Sequence, residues 1–130
     1  MWVAIEATTL VSAFLVSFKF TRSALEATWK YVMVCTVGIC LALFGTMILY
    51  YAQISALGAE KALSWLWLTE HAELLNPSLT KLAFLFIFIG YGTKIGMAPM
   101  HTWLPDAYSE APSLTSGLLS GALCTCAIYV

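Results

Sequence analysis

The chain has 130 residues, 61% hydrophobic and 10% charged, with a formal net charge of −1 and a mean hydropathy of +0.85. Soluble domains carry about a quarter charged residues, so a water-soluble globule is excluded, and intrinsic disorder needs the opposite bias. A charge this close to zero, without a basic stripe, excludes an electrostatic nucleic-acid binder, and no nucleic-acid partner is expected.

A membrane helix needs about 20 mostly apolar residues to cross roughly 30 Å of hydrocarbon. Four stretches meet that need in chain order. Residues 1–18 hold Glu6 as their sole charge, and 29–53 are uncharged after Lys30. Residues 79–103 carry Lys81 at their entrance and Lys94 well inside, and 111–130 are uncharged. The predicted fold class is therefore all-α: a polytopic membrane helix bundle of about four spans, forming one domain over 1–130 with the lipid bilayer as its solvent. The first run lacks a basic start and a small-residue cleavage site, so it reads as a span and not a secretory leader. Because the sequence opens inside one apolar run and stops inside another, a piece of a longer polytopic chain is expected.

The connections set the orientation. Lys19, Arg22 and Lys30 stand against Glu26 alone, and short positive loops stay on the cytoplasmic side, so the loop 19–28 is expected there. The connection 54–78 is then outside, holding Glu60, Lys61, Glu70, His71 and Glu73. Its Trp65 and Trp67 suit an amphipathic segment lying at the membrane surface. Asn76-Pro77-Ser78 reads as the turn and cap that open the third span. Residues 103–110 are expected as a loop returning to the cytoplasm.

The chemistry concentrates around Lys94. An ionisable side chain deep in a span costs about 2.5–3.5 kcal/mol on insertion scales, so it normally faces a partner or water in the protein interior. Lys94 lies about 15 residues from the start of its span, roughly 22 Å at helical rise. Snorkelling of its amine to the interface is the plainer alternative. Pro99 has no amide hydrogen, and its ring clashes with the carbonyl of Ile95, so the third helix is predicted to break near Pro99, beside the lysine. Gly92 and Gly96 form a GxxxG that favours close helix packing.

Glu6 is the second charge inside the apolar runs. Buried carboxylates and amines in bilayers find one another, and a Glu6–Lys94 pair would act as a two-position proton switch. Solvation of Glu6 at a span end is the alternative. Lys30 suits interface anchoring. His101 follows Lys94 by seven residues and has the chemistry of a proton relay, although Pro99 breaks the helix face the two would share. Asp106 and Glu110 read as solvated or capping residues. Cys35, Cys40, Cys124 and Cys126 sit in apolar stretches without a CxxC pair, which points to packing and away from a disulfide or zinc framework. With no Gly-rich phosphate loop, nucleophile elbow or metal-ligand cluster, neither bond chemistry nor a cofactor is expected in this chain.

The run from Lys94 to Ser113, Lys-Ile-Gly-Met-Ala-Pro-Met-His-Thr-Trp-Leu-Pro-Asp-Ala-Tyr-Ser-Glu-Ala-Pro-Ser, resembles the signature of the proton-translocating antiporter family. That family comprises the large membrane subunits of complex I, the Mrp antiporters and the membrane subunits of group 4 hydrogenases. Residues 1–9 and 27–31 are also similar to its pattern. Gly92-Thr93-Lys94, Met100-His101-Thr102-Trp103 and Ser120-Gly121 are most similar to the hydrogenase-4 component F group.

The resemblance implies a larger inverted-repeat fold in which the four spans are about the fifth to eighth helices. It implies that Glu6 and Lys94 form the proton-loading pair and that Lys30 matches a further lysine. Many members carry a lysine or histidine midway along the eighth helix, and here Thr125 stands nearest that place, able to order water but not to hold a proton as an amine does. It further implies protons as the cargo, a prokaryotic inner-membrane location, and other membrane and peripheral subunits as partners. Iron-sulfur and nickel-iron or quinone centres would lie in those partners. A sodium/proton antiporter subunit and a non-transporting structural module are the competing readings.

Overall fold

The computed structural model describes residues 2–58 and 64–129; Glu60 and Lys61 of the connection 54–78 lie outside them, as do Met1 and Val130. Every regular element among the described residues is helical. Helix α1 covers Trp2–Val16 and runs into a 3-10 turn at Ser17–Lys19, and Phe20 in the left-handed region (φ 51°) reverses the chain. Thr21 then caps α2, Arg22–Leu57, its side chain accepting from the Ala24 amide at 3.1 Å. The expected loop 19–28 is thus a tight turn, because the Thr21 cap starts the helix as soon as the chain has turned. At 36 residues α2 is about 54 Å long, several turns more than a bilayer core requires.

The short helix α3, Trp65–Glu70, leads to α4, Pro77–Ile95. Asn76 caps α4 by accepting from the Ser78 amide at 3.0 Å, and Pro77 takes the first helical position, where a missing N–H does no harm. The break expected near Pro99 is made four residues earlier than the proline itself. Gly96 (φ 81°) closes α4 in the left-handed conformation, its amide and that of Met97 turning back to the carbonyls of Thr93 and Gly92. The chain continues through a turn to α5, Trp103–Glu110, so the residues expected as a cytoplasmic loop are helical. Last come α6, Ser113–Leu118, a π-helical stretch Leu119–Leu123, and α7, Cys124–Tyr129, which together form one apolar helical run.

Among the described residues, three helices are long and apolar enough to cross a membrane: Trp2–Lys19, Arg22–Ala56 and Pro77–Ile95, with Ser113–Tyr129 a shorter apolar fourth. Burial is inverted relative to a soluble core. Phe14, Phe18, Trp29, Phe84 and Phe88 are exposed, whereas Thr9, Ala24, Ala42, Ala83 and Thr93 are almost wholly covered. In lipid the apolar side chains need no shelter, and helices associate through small and polar residues that let backbones approach.

The closest approach joins α2 to α4. A Cβ on Gly90 would sit 2.5 Å from the Ala42 amide nitrogen, and one on Gly45 would meet Ala83 and Ile87 at 2.8 Å. The packing glycines are therefore Gly38, Gly45 and Gly90. The Gly92/Gly96 pair does not serve this role, because Gly96 is spent on the helix cap. Helices α1 and α2 are antiparallel: Glu6 meets Thr36 and Ser12 meets Tyr31, so advancing along one means retreating along the other.

Candidate functional site

Lys94 lies in the last turn of α4, where the helix dipole favours a cation, and only 5% of its surface is exposed. Its ammonium donates to the hydroxyl of Thr9 on α1. It also sits 5.5 Å from the ring centre of Tyr31 on α2, within cation–π range. Three helices therefore converge on one amine. Beside it, a cavity of about 170 Å³ opens between α1 and α7, lined by Ile5, Thr8, Lys94, Leu123 and Cys126 among others. Its lining is almost wholly apolar, with the Thr8 hydroxyl and Lys94 as its main polar groups.

Glu6 is one helical turn from Thr9 on α1 and within electrostatic reach of Lys94. It makes no ion pair with the lysine. One carboxylate oxygen accepts from Thr36 on α2 at 2.6 Å, and the other is buried without a partner among the described residues. The Trp2 indole N–H and the Tyr91 hydroxyl are also buried, within reach of one another. The acid and the amine are thus held apart, with Thr9 as the amine's direct partner.

The lysine's surroundings are locked from the helix break. Trp103, 2% exposed, donates from its indole to the Thr93 carbonyl at 2.8 Å and stacks on Tyr31 with ring centres 4.8 Å apart. The turn after Gly96 folds α5 back so that this tryptophan seals the end of α4. Tyr31 in turn shares a hydrogen bond of 2.7 Å with Ser12. On α5, the half-buried Tyr108 hydroxyl pairs with Cys124 at 3.5 Å, and burial first, then that contact, raises its phenol above the ordinary range.

The remaining expected residues lie elsewhere. Lys30 is half exposed and bridges Glu26 at 2.8 Å and Asp106 at 2.9 Å, tying α2 to α5. Ser23 adds a hydrogen bond to Glu110 at 2.9 Å in the same patch. Asp106 and Glu110 are therefore inter-helix anchors. His101 is exposed in the turn after α4, and Thr125 is exposed on α7, outside the lining of the cavity beside Lys94. Pro99 is in the same turn as His101, beyond the end of α4. Of the four cysteines, Cys35 is buried, whereas Cys40 and Cys126 are exposed.

Sequence reasoning did not single out Thr9, Ser12, Tyr31 or Thr36. A signal for two of them was present: Glu6, Thr9 and Ser12 recur every third residue in a helix whose one other polar residue is Thr8, which places a polar stripe on one face.

The family model described as NADH:quinone oxidoreductase/Mrp antiporter, TM, matches residues 1–130. A hydrogenase-4 component F homolog of Methylacidiphilum infernorum is 46% identical over 130 residues, covering 99% of this chain and 27% of the relative. The NADH-quinone oxidoreductase subunit N of Deinococcus radiodurans is 31% identical over 123 residues, covering 92% of this chain and 24% of that protein. Hydrogenase-4 component B of Escherichia coli is 46% identical over 55 residues, 42% of this chain and 8% of that protein. The chain thus spans about a quarter of the length of the first two of these relatives. It is a membrane protein, and it belongs to the NADH:quinone oxidoreductase/Mrp antiporter transmembrane family.

Proposed function

We propose that this chain is part of a proton-translocating membrane subunit of a redox-driven complex, of the hydrogenase-4 or NADH-quinone oxidoreductase kind, and that Lys94 is its proton carrier. One observation carries the reading: an amine 95% withdrawn from solvent is held by a hydroxyl and an aromatic face, with a carboxylate one helical turn from that hydroxyl. A fixed charge serving only to join helices would be expected in a direct ion pair, since an uncompensated buried charge is costly. Here the acid and base are separated, which leaves Lys94 free to exchange a proton while Glu6 biases the exchange.

The subunit would reside in a prokaryotic inner membrane with the Lys19/Arg22 end in the cytoplasm. Electrons would pass through iron-sulfur and nickel-iron or quinone centres of partner subunits, and this chain would make no bond itself.

The test is Lys94→Ala in the full-length subunit within its complex. Proton transport into membrane vesicles, read by a ΔpH-sensitive dye, is expected to fall about 10²-fold, the lower end of what a positioned proton-transfer group contributes. Assembly and the partner centres should persist. A complex that no longer assembles, or one that transports at the normal rate, would refute the carrier role. A rate that depends on sodium would favour the antiporter reading instead.

A further inference from the structure

Beyond Lys94 and Glu6, the bundle holds a second polar system that those two residues do not explain. Thr9, Ser12 and Tyr31 are 0%, 6% and 1% exposed, and all three hydroxyls lie at the meeting of α1 and α2. Placing hydroxyls so deep in an apolar bundle is unfavourable unless each is hydrogen-bonded. Their bonding has a definite polarity. Ser12 donates to the Thr9 carbonyl at 2.9 Å, so its oxygen must accept from Tyr31, at 2.7 Å. Thr9 rests with its proton on the Ile5 carbonyl at 3.1 Å, accepts from Lys94, and stands within hydrogen-bonding reach of Tyr31. The Tyr31 ring lies 5.5 Å from Lys94, and its hydroxyl reaches Ser12.

We propose that the buried hydroxyls of Thr9, Tyr31 and Ser12 form a side-chain proton relay between Lys94 and the α5 end of the bundle. The proposal rests on Lys94 being a carrier and names the route by which it exchanges protons with that one end of the bundle. In the unloading sense, Lys94 Nζ releases a proton to Thr9 Oγ1 and becomes neutral. Thr9 swings its own proton from the Ile5 carbonyl to Tyr31 Oη, and Tyr31 passes the proton it held to Ser12 Oγ. Ser12 turns its proton off the Thr9 carbonyl to water at the α5 end, where the half-buried Tyr108 lies within electrostatic reach of Tyr31. Each oxygen gains one proton and loses one, so no hydroxyl needs to ionise for longer than the transfer. Loading is the same sequence reversed.

The test compares Tyr31→Phe, Ser12→Ala and Ser12→Thr with Lys94→Ala, each in the full-length subunit within its complex in membrane vesicles. Tyr31→Phe keeps the ring that stacks on Trp103 and faces Lys94, and removes only the relay oxygen. Proton transport, read by the dye, is expected to drop roughly tenfold in Tyr31→Phe and Ser12→Ala, with assembly retained. Ser12→Thr, which restores a hydroxyl, should recover most of the rate lost in Ser12→Ala. A purely structural role would cost assembly or thermal stability along with rate, whereas loss of the relay lowers the rate with assembly and stability retained. If Lys94→Ala stops transport while Tyr31→Phe and Ser12→Ala transport at the full rate, the relay is wrong and the carrier stands. If Lys94→Ala transports normally, both are wrong. Should Tyr31→Phe fail to assemble, the contrast between Ser12→Ala and Ser12→Thr decides alone, with equal rates overturning the relay.

Discussion

At Trp103 a single indole holds together three parts of the site. Its N–H bonds the Thr93 carbonyl, its ring stacks on Tyr31, and its burial anchors the turn after Gly96. Thr93 keeps a second donor in the Gly96 amide at 3.2 Å, so removing the indole N–H does not orphan the carbonyl. Trp103→Phe is therefore expected to lower stability by about 1 kcal/mol, the net value of one hydrogen bond, without unfolding the bundle. Thermal unfolding of the detergent-solubilised protein measures this, and a loss several times larger would mean that the indole shape is also needed. The same scale shows where residue-level reading stopped. Lys94 and Glu6 stand out in sequence because a charge in an apolar run is energetically conspicuous. Thr9 and Ser12 do not, because a hydroxyl on a membrane helix can bond its own backbone three or four residues back, and Tyr31 does not, because an aromatic ring is ordinary in an apolar helix.

The helices meet where their side chains are smallest. Gly38, Gly45 and Gly90 bring the backbones of α2 and α4 together, and Thr93 packs against the Gly38 position. Because Thr93 immediately precedes Lys94, this contact fixes the rotation of α4 and hence the direction in which the lysine extends. A methyl group at Gly90 would press on the Ala42 amide, where backbone cannot give way as a flexible side chain would. Gly90→Ala is expected to destabilise the α2–α4 contact by about 1–3 kcal/mol, the usual consequence of overpacking. It should also weaken a cross-link engineered between the two helices. An unchanged cross-linking yield would show that α4 shifts at little expense.

Helix boundaries were legible in part. The Asn76-Pro77 cap marks the start of α4 in both sequence and structure. The end of α4 was expected near Pro99, and it lies at Ile95 because a glycine free to adopt positive φ terminates a helix before the proline's clash is met.

Across the whole molecule, the charged patch of Glu26, Lys30 and Asp106 defines one end of the bundle, and α3 with Glu73 defines the other. The positive-inside rule predicts that the first of these faces the cytoplasm. With the native cysteines replaced, a cysteine introduced at Lys19 should react with a membrane-impermeant maleimide only from the cytoplasmic side, and one at Glu73 only from the opposite side. Reversed labelling would invert the assignment and with it the direction of the route from Lys94 to the α5 end.

What the sequence determined by itself was the solvent, the helical class, the break after Lys94 and the two charges worth attention. Each of these follows from hydropathy or local backbone chemistry read along one stretch of chain. What only the tertiary structure decided was which groups touch. Lys94 meets Thr9 and not Glu6, Lys30 meets Asp106, and Tyr31 lies between the amine and Ser12. Those contacts depend on how far each helix is rotated and how closely it approaches its neighbour. Such quantities are set by glycines and caps acting at a distance in sequence, and no local pattern encodes them.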